Sequence, residues 1–581
     1  MDRRRFLGYF AAAGLGATLF PAALWAQAAK QRRLTKEMIV DAEKVAGVSF
    51  TEAERDLMLE GGDDALGSYE KLRAVPLDNA VPPAIGFQPS RGGERAQPAA
   101  TKSRWSRVGR QSAPREIEEL AFRPVTELSA LLKTRQVSSL ALTQMYLARL
   151  KRFDPALHCV VNLTEERALA QARAADAQIA RGDWRGPLHG VPWGVKDLLA
   201  VKGYPTTWGA TPFRTQMLDL DATVVQRLDA AGAVLVAKLS CGALAWGDVW
   251  FGGTTRNPWK LDQGSSGSSA GSAASVAAGL VGFAIGTETY GSIVSPSTRC
   301  GATGLRPTFG RVSRHGCMAL SWSLDKIGPI ARSVEDAALV FDAIHGADGL
   351  DPDAVDAPFA FDATRDPRAL RVGVLESAFG GKAENDRAKE GQALDAAALQ
   401  ALRALGVATK PVELPAWPID DMMILLTAEA GAAFDGFLRG GLAAQLERQT
   451  ADAWPNVFRQ ARLVPAVEYI TANRLRTLLL RDMAKLLREQ ADVIVAPTFA
   501  GGTVALTNLS GHPQVVVPAG WRADGTPVSL TFAAGHDRET DALALAKAWQ
   551  DATGHHLKHP AAFAPGAACP EPVPMAAAKD D

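Results

Sequence analysis

Cysteine is scarce in this chain. The five thiols, Cys159, Cys241, Cys300, Cys317 and Cys569, are odd in number and scattered. That excludes a disulfide framework and a paired zinc motif and leaves mostly free thiols. An excess of charge is missing too: lysine plus arginine and aspartate plus glutamate both total 63. The balance therefore offers nothing to favour nucleic acid or an anionic membrane surface as a partner. Beyond the N-terminus no stretch reaches about 18 uninterrupted apolar residues, which argues against stable membrane insertion of the mature chain. Internal repeats at solenoid periods are absent as well.

What is present begins with "MDRRRFLGYFAAAGLGATLFPAALWAQAAK", which has a basic start, a small-residue apolar stretch and an A-x-A ending at Ala28. Residues 1–28 read as a removable secretory signal. Arg3, Arg4, Phe6 and Leu7 resemble the twin-arginine pattern R-R-x-F-L, so a periplasmic product is expected. A membrane anchor is the competing reading, but Gly14, Gly16 and Pro21 interrupt a stretch already short for a bilayer span. Residues 29–77 predict a helical extension, with Thr35 and Thr51 as N-caps. The Pro-, Gly- and Arg-rich run 78–115 reads as a linker, 116–560 as one large domain, and 561–581 as a flexible tail.

Inside the large domain, helical patterns such as "SLALTQMYLARLKRF" alternate with short β-branched runs: "AVLVAKL", "VGFAIGT", "LRVGVLE", "ADVIVAP", "HPQVVVPAG" and "VSLTFAAG". This alternation predicts an α/β fold with helices on both faces of a sheet.

The stretch from Asp262 to Ser297, "DQGSSGSSAGSAASVAAGLVGFAIGTETYGSIVSPS", has the serine and glycine content of a linker. A linker stays polar on both sides, whereas this one runs directly into an alanine-rich helix pattern and an apolar strand. Its serines are therefore held, and the turns at Ser268–Ser269 and Ser292 bracket that helix and strand so that both can face one cleft. A serine nucleophile needs a base. "GSSAG" matches G-x-S-x-G, with Ser269 as nucleophile and His315, His512 or His536 as partner. That elbow needs an apolar strand just before it, and "RNPWKLDQ" stands there instead. The other base is Lys196 in "HGVPWGVKDLLAVKG". Free lysine titrates near ~10.4, and desolvation among Val191, Pro192, Trp193, Val195, Leu198 and Leu199 would lower it. From this stretch alone, an ion pair with the adjacent Asp197 at a surface strand end is the simpler reading.

"GVPWGVKD", "GGTTRNPW", the serine-glycine stretch above, "CGATGLRPTFGRVSRHG" and "LDKIGP" together resemble the amidase signature family, in family order and spacing. The resemblance covers roughly Val125 to Pro560 and is strongest from His189 to Pro329. It implies one large α/β domain with a central mixed, twisted sheet covered by helices on both faces. It implies a serine nucleophile at Ser292, a cis-serine at Ser268 and a lysine at Lys196. It also implies an oxyanion hole from the backbone of Thr289, Tyr290, Gly291 and Ser292. The family pattern G-T-D-T-G-G-S-I-R is departed from at Glu288, Tyr290 and Val294. Tyr290, Trp246 and Ser269 are candidates for contacting substrate.

The implied activity is hydrolysis of a small-molecule amide, with esters included, needing neither cofactor nor metal. Two rivals share the scaffold: an amidotransferase-type subunit working with partner chains on charged tRNA, and a substrate-binding protein on a degenerate amidase fold. Oligomeric state stays open, a homodimer included. Of the motif-segment tryptophans Trp193, Trp208, Trp246, Trp250, Trp259 and Trp322, core packing is the expected role. Ser265, Ser295 and Ser297 read as loop hydrogen bonders, Cys241 and Cys300 as buried small hydrophobes. Arg299, Arg306 and Arg311 read as structural pairs, and His555, His556 and His559 lack the acidic or cysteine companions of a metal site.

Overall fold

The computed structural model describes residues 33–76, 86, 102–109, 111–380, 385–571 and 573–575. The expected signal, 1–28, lies outside the described residues, as does most of the 78–115 run.

Among the described residues, eleven strands form one sheet: β1 (Val160–Leu163), β2 (Pro192–Lys196), β3 (Val234–Leu239), β4 (Phe283–Glu288), β5 (Thr303–Arg306), β6 (Lys326–Ala331), β7 (Arg371–Val374), β8 (Ala408–Pro411), β9 (Val493–Pro497), β10 (Gln514–Trp521) and β11 (Pro527–Ala534). Their spatial order is β1-β3-β2-β4-β6-β5-β10-β11-β9-β7-β8. β2 pairs parallel with β3 and β4, β7 parallel with β8 and β9, and the centre is antiparallel. The alternation of helical and β-branched runs predicts the α/β class, and the mixed sheet is the one the family resemblance implies.

The apolar runs are continuous because both faces are covered. Leu235 and Ile285 pack into one core cluster, while Val234, Val236 and Ala284 point into the other. The strand period of two sends neighbours to opposite faces. β5 and β6 are not legible as strands: "TGLR" and "KIGPIA" carry a glycine, an arginine, a lysine and a proline that weaken the pattern. Their charged members are buried because they lie near one another, with Lys326 opposite Glu288 in the β6–β4 register and Arg306 paired to Glu288.

Among the described residues, two helices precede the domain, α1 (Lys36–Ala46) and α2 (Glu52–Ala74). Thr35 caps the first, and Thr51 forms a capping box with Glu54 on the second, which satisfies end amides that would otherwise lack partners. The pair is docked on the domain: Arg73 bridges to Glu468, Lys71 to Asp421, and Asn456 donates to the Leu57 carbonyl. At the other end, Phe563, from the stretch expected to be loose, is buried, and Arg149 donates to its carbonyl. No helix among the described residues is long and apolar enough to cross a membrane.

Candidate active site

Lys196 ends β2, and its side chain is 0% exposed. Its Nζ lies 2.9 Å from Ser268 Oγ, 3.1 Å from Ser269 Oγ, 2.7 Å from Thr287 Oγ1 and 3.2 Å from the Thr287 carbonyl. Burial lowers its pKa to about 8, against weaker opposition from Cys241, Cys317, Asp325 and Glu288. A good fraction of this amine is therefore neutral near pH 8, with a lone pair able to accept a hydroxyl proton. The ion pair with Asp197 does not form. Asp197 follows in the chain and binds Lys238 at 2.8 Å and the Thr207 amide at 2.9 Å.

Ser268 and Ser269 sit between the strand Lys260–Gly264 and the helix α3 (Ala270–Ala277). The Gly267–Ser268 peptide is cis, as the resemblance implies. Gly267 must be glycine, since a Cβ there would stand 1.8 Å from the Gly247 carbonyl oxygen. Ser269 is not a pocket residue. It is fully buried, its amide donates to the Ser292 carbonyl, and its hydroxyl donates to the Thr287 carbonyl and accepts from the Thr287 amide. Of its elbow partners, His512 and His536 stack on each other and bond Ser510, while His315 lines a cavity that also touches Thr287 and Thr289.

Ser292, 7% exposed, lies in the turn from β4 into the helix α4 (Val294–Cys300). Gly291 takes φ +82°, a left-handed conformation that glycine adopts at little cost. Glu288 pins this turn. One carboxylate oxygen accepts from the amides of Ile293 and Val294 at 2.8 and 2.9 Å, and the other from Arg306 at 2.9 Å and Asn508 at 2.7 Å. Burial alone would raise its pKa, but Arg306, Asn508 and the turn amides outweigh it and hold the carboxyl at about 2. Thr289 is held in turn by its hydroxyl donating to Asp325 at 2.6 Å; that carboxylate also accepts from the amides of Leu320 and Ser321. Burial pushes Asp325 up.

A cavity of about 220 Å³ opens beside Thr287 and Thr289, with Leu198, Met318, Leu320 and Ile327 in its walls and Trp322 at 50% exposure. Tyr290 stands outward, 45% exposed, where burial and Asp420 raise its phenol. Trp246 packs edge-on against Trp454, with centroids 4.6 Å apart, rather than lining that cavity. Trp193 stacks on Phe283, Trp208 and Trp259 tilt against Phe213 and Trp521, and Trp250 meets Phe251 edge-on. Ser295 bonds Ser266, and Ser265 donates to the Ser266 carbonyl. Arg306 binds Glu288, and Arg311 donates to the Pro358 carbonyl. His559 stacks on Phe122.

Thr287, Asp325 and Asn508 escape the sequence reading. Thr287 was within reach, because it stands near the end of β4, just ahead of the turn that carries Ser292. Asn508 comes from the helix Thr503–Ser510, distant in sequence, and carries no local signal.

The family whose sequence model matches this chain is described as Amidase and spans residues 141–510. The chain is 35% identical over 487 residues to a glutamyl-tRNA(Gln) amidotransferase subunit of Methylococcus capsulatus, covering 76% of this chain and 99% of that one. The same subunit of Roseiflexus castenholzii is 37% identical over 484 residues, covering 75% and 97%. Among solved structures, the native peptide amidase of Stenotrophomonas maltophilia superposes with a TM-score of 0.67 at 31% identity, over 75% of this chain and 98% of that one.

Proposed function

The chain belongs to the amidase family, and from that premise we propose that it hydrolyses a carboxylic amide through an acyl-enzyme on Ser292. Neutral Lys196 takes the Ser268 hydroxyl proton while Ser268 takes that of Ser292, whose oxygen attacks the amide carbon. The tetrahedral oxyanion is met by backbone N–H groups of Thr289, Tyr290, Gly291 and Ser292. One such donor is typically worth about 3 kcal/mol. The relay then runs backwards: Lys196 returns a proton through Ser268 to the leaving nitrogen, the C–N bond breaks, and the amine departs. Water, deprotonated by the same relay, cleaves the acyl-enzyme. An ester would give the same intermediate and is a substrate on this reading.

The observation that carries it is the amine of Lys196, fully buried, lowered to about 8 and 2.9 Å from Ser268 Oγ. A fluorophosphonate probe is expected to label Ser292 in the purified chain, with peptide mapping to locate the adduct. Labelling at another serine would refute the assignment.

A second reading, favoured by the curated relatives, is an amidotransferase-type subunit. The two part on one measurement. A lone purified chain that turns over simple amides supports the hydrolase, while activity only with added partner chains supports the amidotransferase. The N-terminal sequence supports the first reading, because charged tRNA is cytoplasmic and Arg3, Arg4, Phe6 and Leu7 resemble an export signal. Export to the periplasm is expected to fail when Arg3 and Arg4 are both replaced by lysine. Cell fractionation reads this, and unchanged location of both proteins in the cytoplasm would remove the export proposal.

A further inference from the structure

The cavity beside Thr287 and Thr289 has a charge pattern that the proposed reaction does not use. Its guanidinium, Arg314, is committed: Nε and Nη2 donate to Asp351 at 2.8 Å each, Nη2 also to Asp353 at 2.5 Å, and Nη1 to the Trp322 carbonyl at 2.5 Å. The lining lysine, Lys326, is buried and donates to the Leu324 carbonyl, and burial pushes its amine well below the ordinary lysine value. Facing the same space are three carboxylates, Asp325, Asp351 and Asp353. The imidazole of His315 also lines this space, and the remaining wall is largely apolar, with Leu198, Ala245, Met318, Leu320 and Ile327.

Position places this cavity next to the proposed reaction centre. It touches Thr287, which holds Lys196, and Thr289, which begins the oxyanion turn. A carbonyl oxygen aimed at that turn leaves its acyl chain running toward the cavity. At about 220 Å³ it is smaller than the roughly 300–1,000 Å³ of a pocket for a drug-sized ligand, so it suits one side chain. A carboxylate entering it would lose water beside Asp325 and beside Asp351 and Asp353, which share one guanidinium, with Arg314 and Lys326 both already engaged and the His315 imidazole as the remaining nitrogen donor in the lining.

Resting on the amidase reading, we infer that the acyl group of the substrate is uncharged and apolar, seated in this cavity with Trp322 at its mouth, and that amides bearing an acyl-chain carboxylate are excluded, glutamine among them. Trp322 is the specificity-determining residue that experiment can reach without disturbing the core, because half of its surface is open. The same ring also borders a second cavity with Tyr469 and Glu429, so it stands as the partition between two recesses.

The test uses the full purified chain and two amides of nearly equal size, pentanamide and succinamate, with 3-phenylpropanamide and glutamine alongside. In the wild type, kcat/KM for pentanamide is expected to exceed that for succinamate by roughly 100-fold. Trp322→Arg, which brings a cation to the mouth, narrows that ratio about tenfold by raising succinamate turnover. Trp322→Ala lowers kcat/KM for 3-phenylpropanamide about tenfold and leaves succinamate slow. Succinamate or glutamine matching pentanamide in the wild type would overturn the inference, as would equal ratios in the arginine and alanine variants. Should Ser292 take the fluorophosphonate while a carboxylate-bearing amide is the better substrate, the pocket inference alone fails. Should no amide turn over and no label reach Ser292, the amidase reading fails and takes this one with it.

Discussion

Lys196→Ala is expected to lower kcat by roughly 10²–10⁴-fold, the range typical of losing a positioned general base, with far less change in KM. The reason lies in the relay: without an amine within hydrogen-bond reach of Ser268, the Ser292 hydroxyl stays protonated and attacks poorly. The pH profile separates this from a merely structural loss. Since the base works only when unprotonated and titrates at about 8, wild-type kcat/KM rises with pH through about 8 and levels off above it. The residual activity of the alanine variant shows no such inflection. Lys196→Arg does not rescue turnover, because a guanidinium stays charged and cannot accept the proton. Initial rates across pH 6 to 10, compared at matched circular dichroism, provide the check. Turnover unchanged by Lys196→Ala would mean another base, or a scaffold that binds without catalysing.

Arg306→Leu is expected to cost about 3–5 kcal/mol of stability, the usual consequence of stranding a buried charge. Glu288 and Arg306 are both 0% exposed and 2.9 Å apart. In the wild type the Glu288 carboxyl is held at about 2, below its unfolded value near ~4.3. Its contribution is therefore present above about pH 4.3 and lost as pH falls through 2. In the variant, burial is opposed only by Asn508, the turn amides and Lys326 across the β6–β4 register, so the folded carboxyl rises from about 2 toward its unfolded value. The contribution that the wild type gains above about pH 4.3 then shrinks in the variant, so its deficit is larger at about pH 5 than at about pH 3. Denaturant melts at both values measure this. Glu288→Gln in the Arg306→Leu background recovers part of the deficit by removing the stranded charge. A single variant melting within about 1 kcal/mol of wild type would show that the pair does not support the turn.

Parts of this molecule are legible without coordinates because their causes are local. Thr35 and Thr51 announce helix starts through side chains that reach amides three residues on. "AVLVAKL" and "VGFAIGT" read as strands because β-branched and apolar residues run without a break where both sheet faces are covered. β6 is illegible for the converse reason: Lys326 and Pro329 are poor strand formers, and only the β4 strand beside them, with Glu288 in register, makes the placement workable. Lys196 and Asp197 show the limit most directly. As chain neighbours they suggest each other as partners, yet one turns to Ser268 and the other to Lys238.

By itself the sequence determined which residue types stand in which order: a lysine ending an apolar strand, paired serines before a small-residue helix, and a glycine–serine turn after the next strand. It also set the helix caps and the family. Tertiary structure alone decided which hydroxyl meets the amine first, that Ser269 is taken up by Thr287, and that Lys196 titrates at about 8. These outcomes depend on exclusion of water by segments far apart along the chain, and a side chain's proton affinity follows the whole enclosure around it rather than its neighbours in sequence.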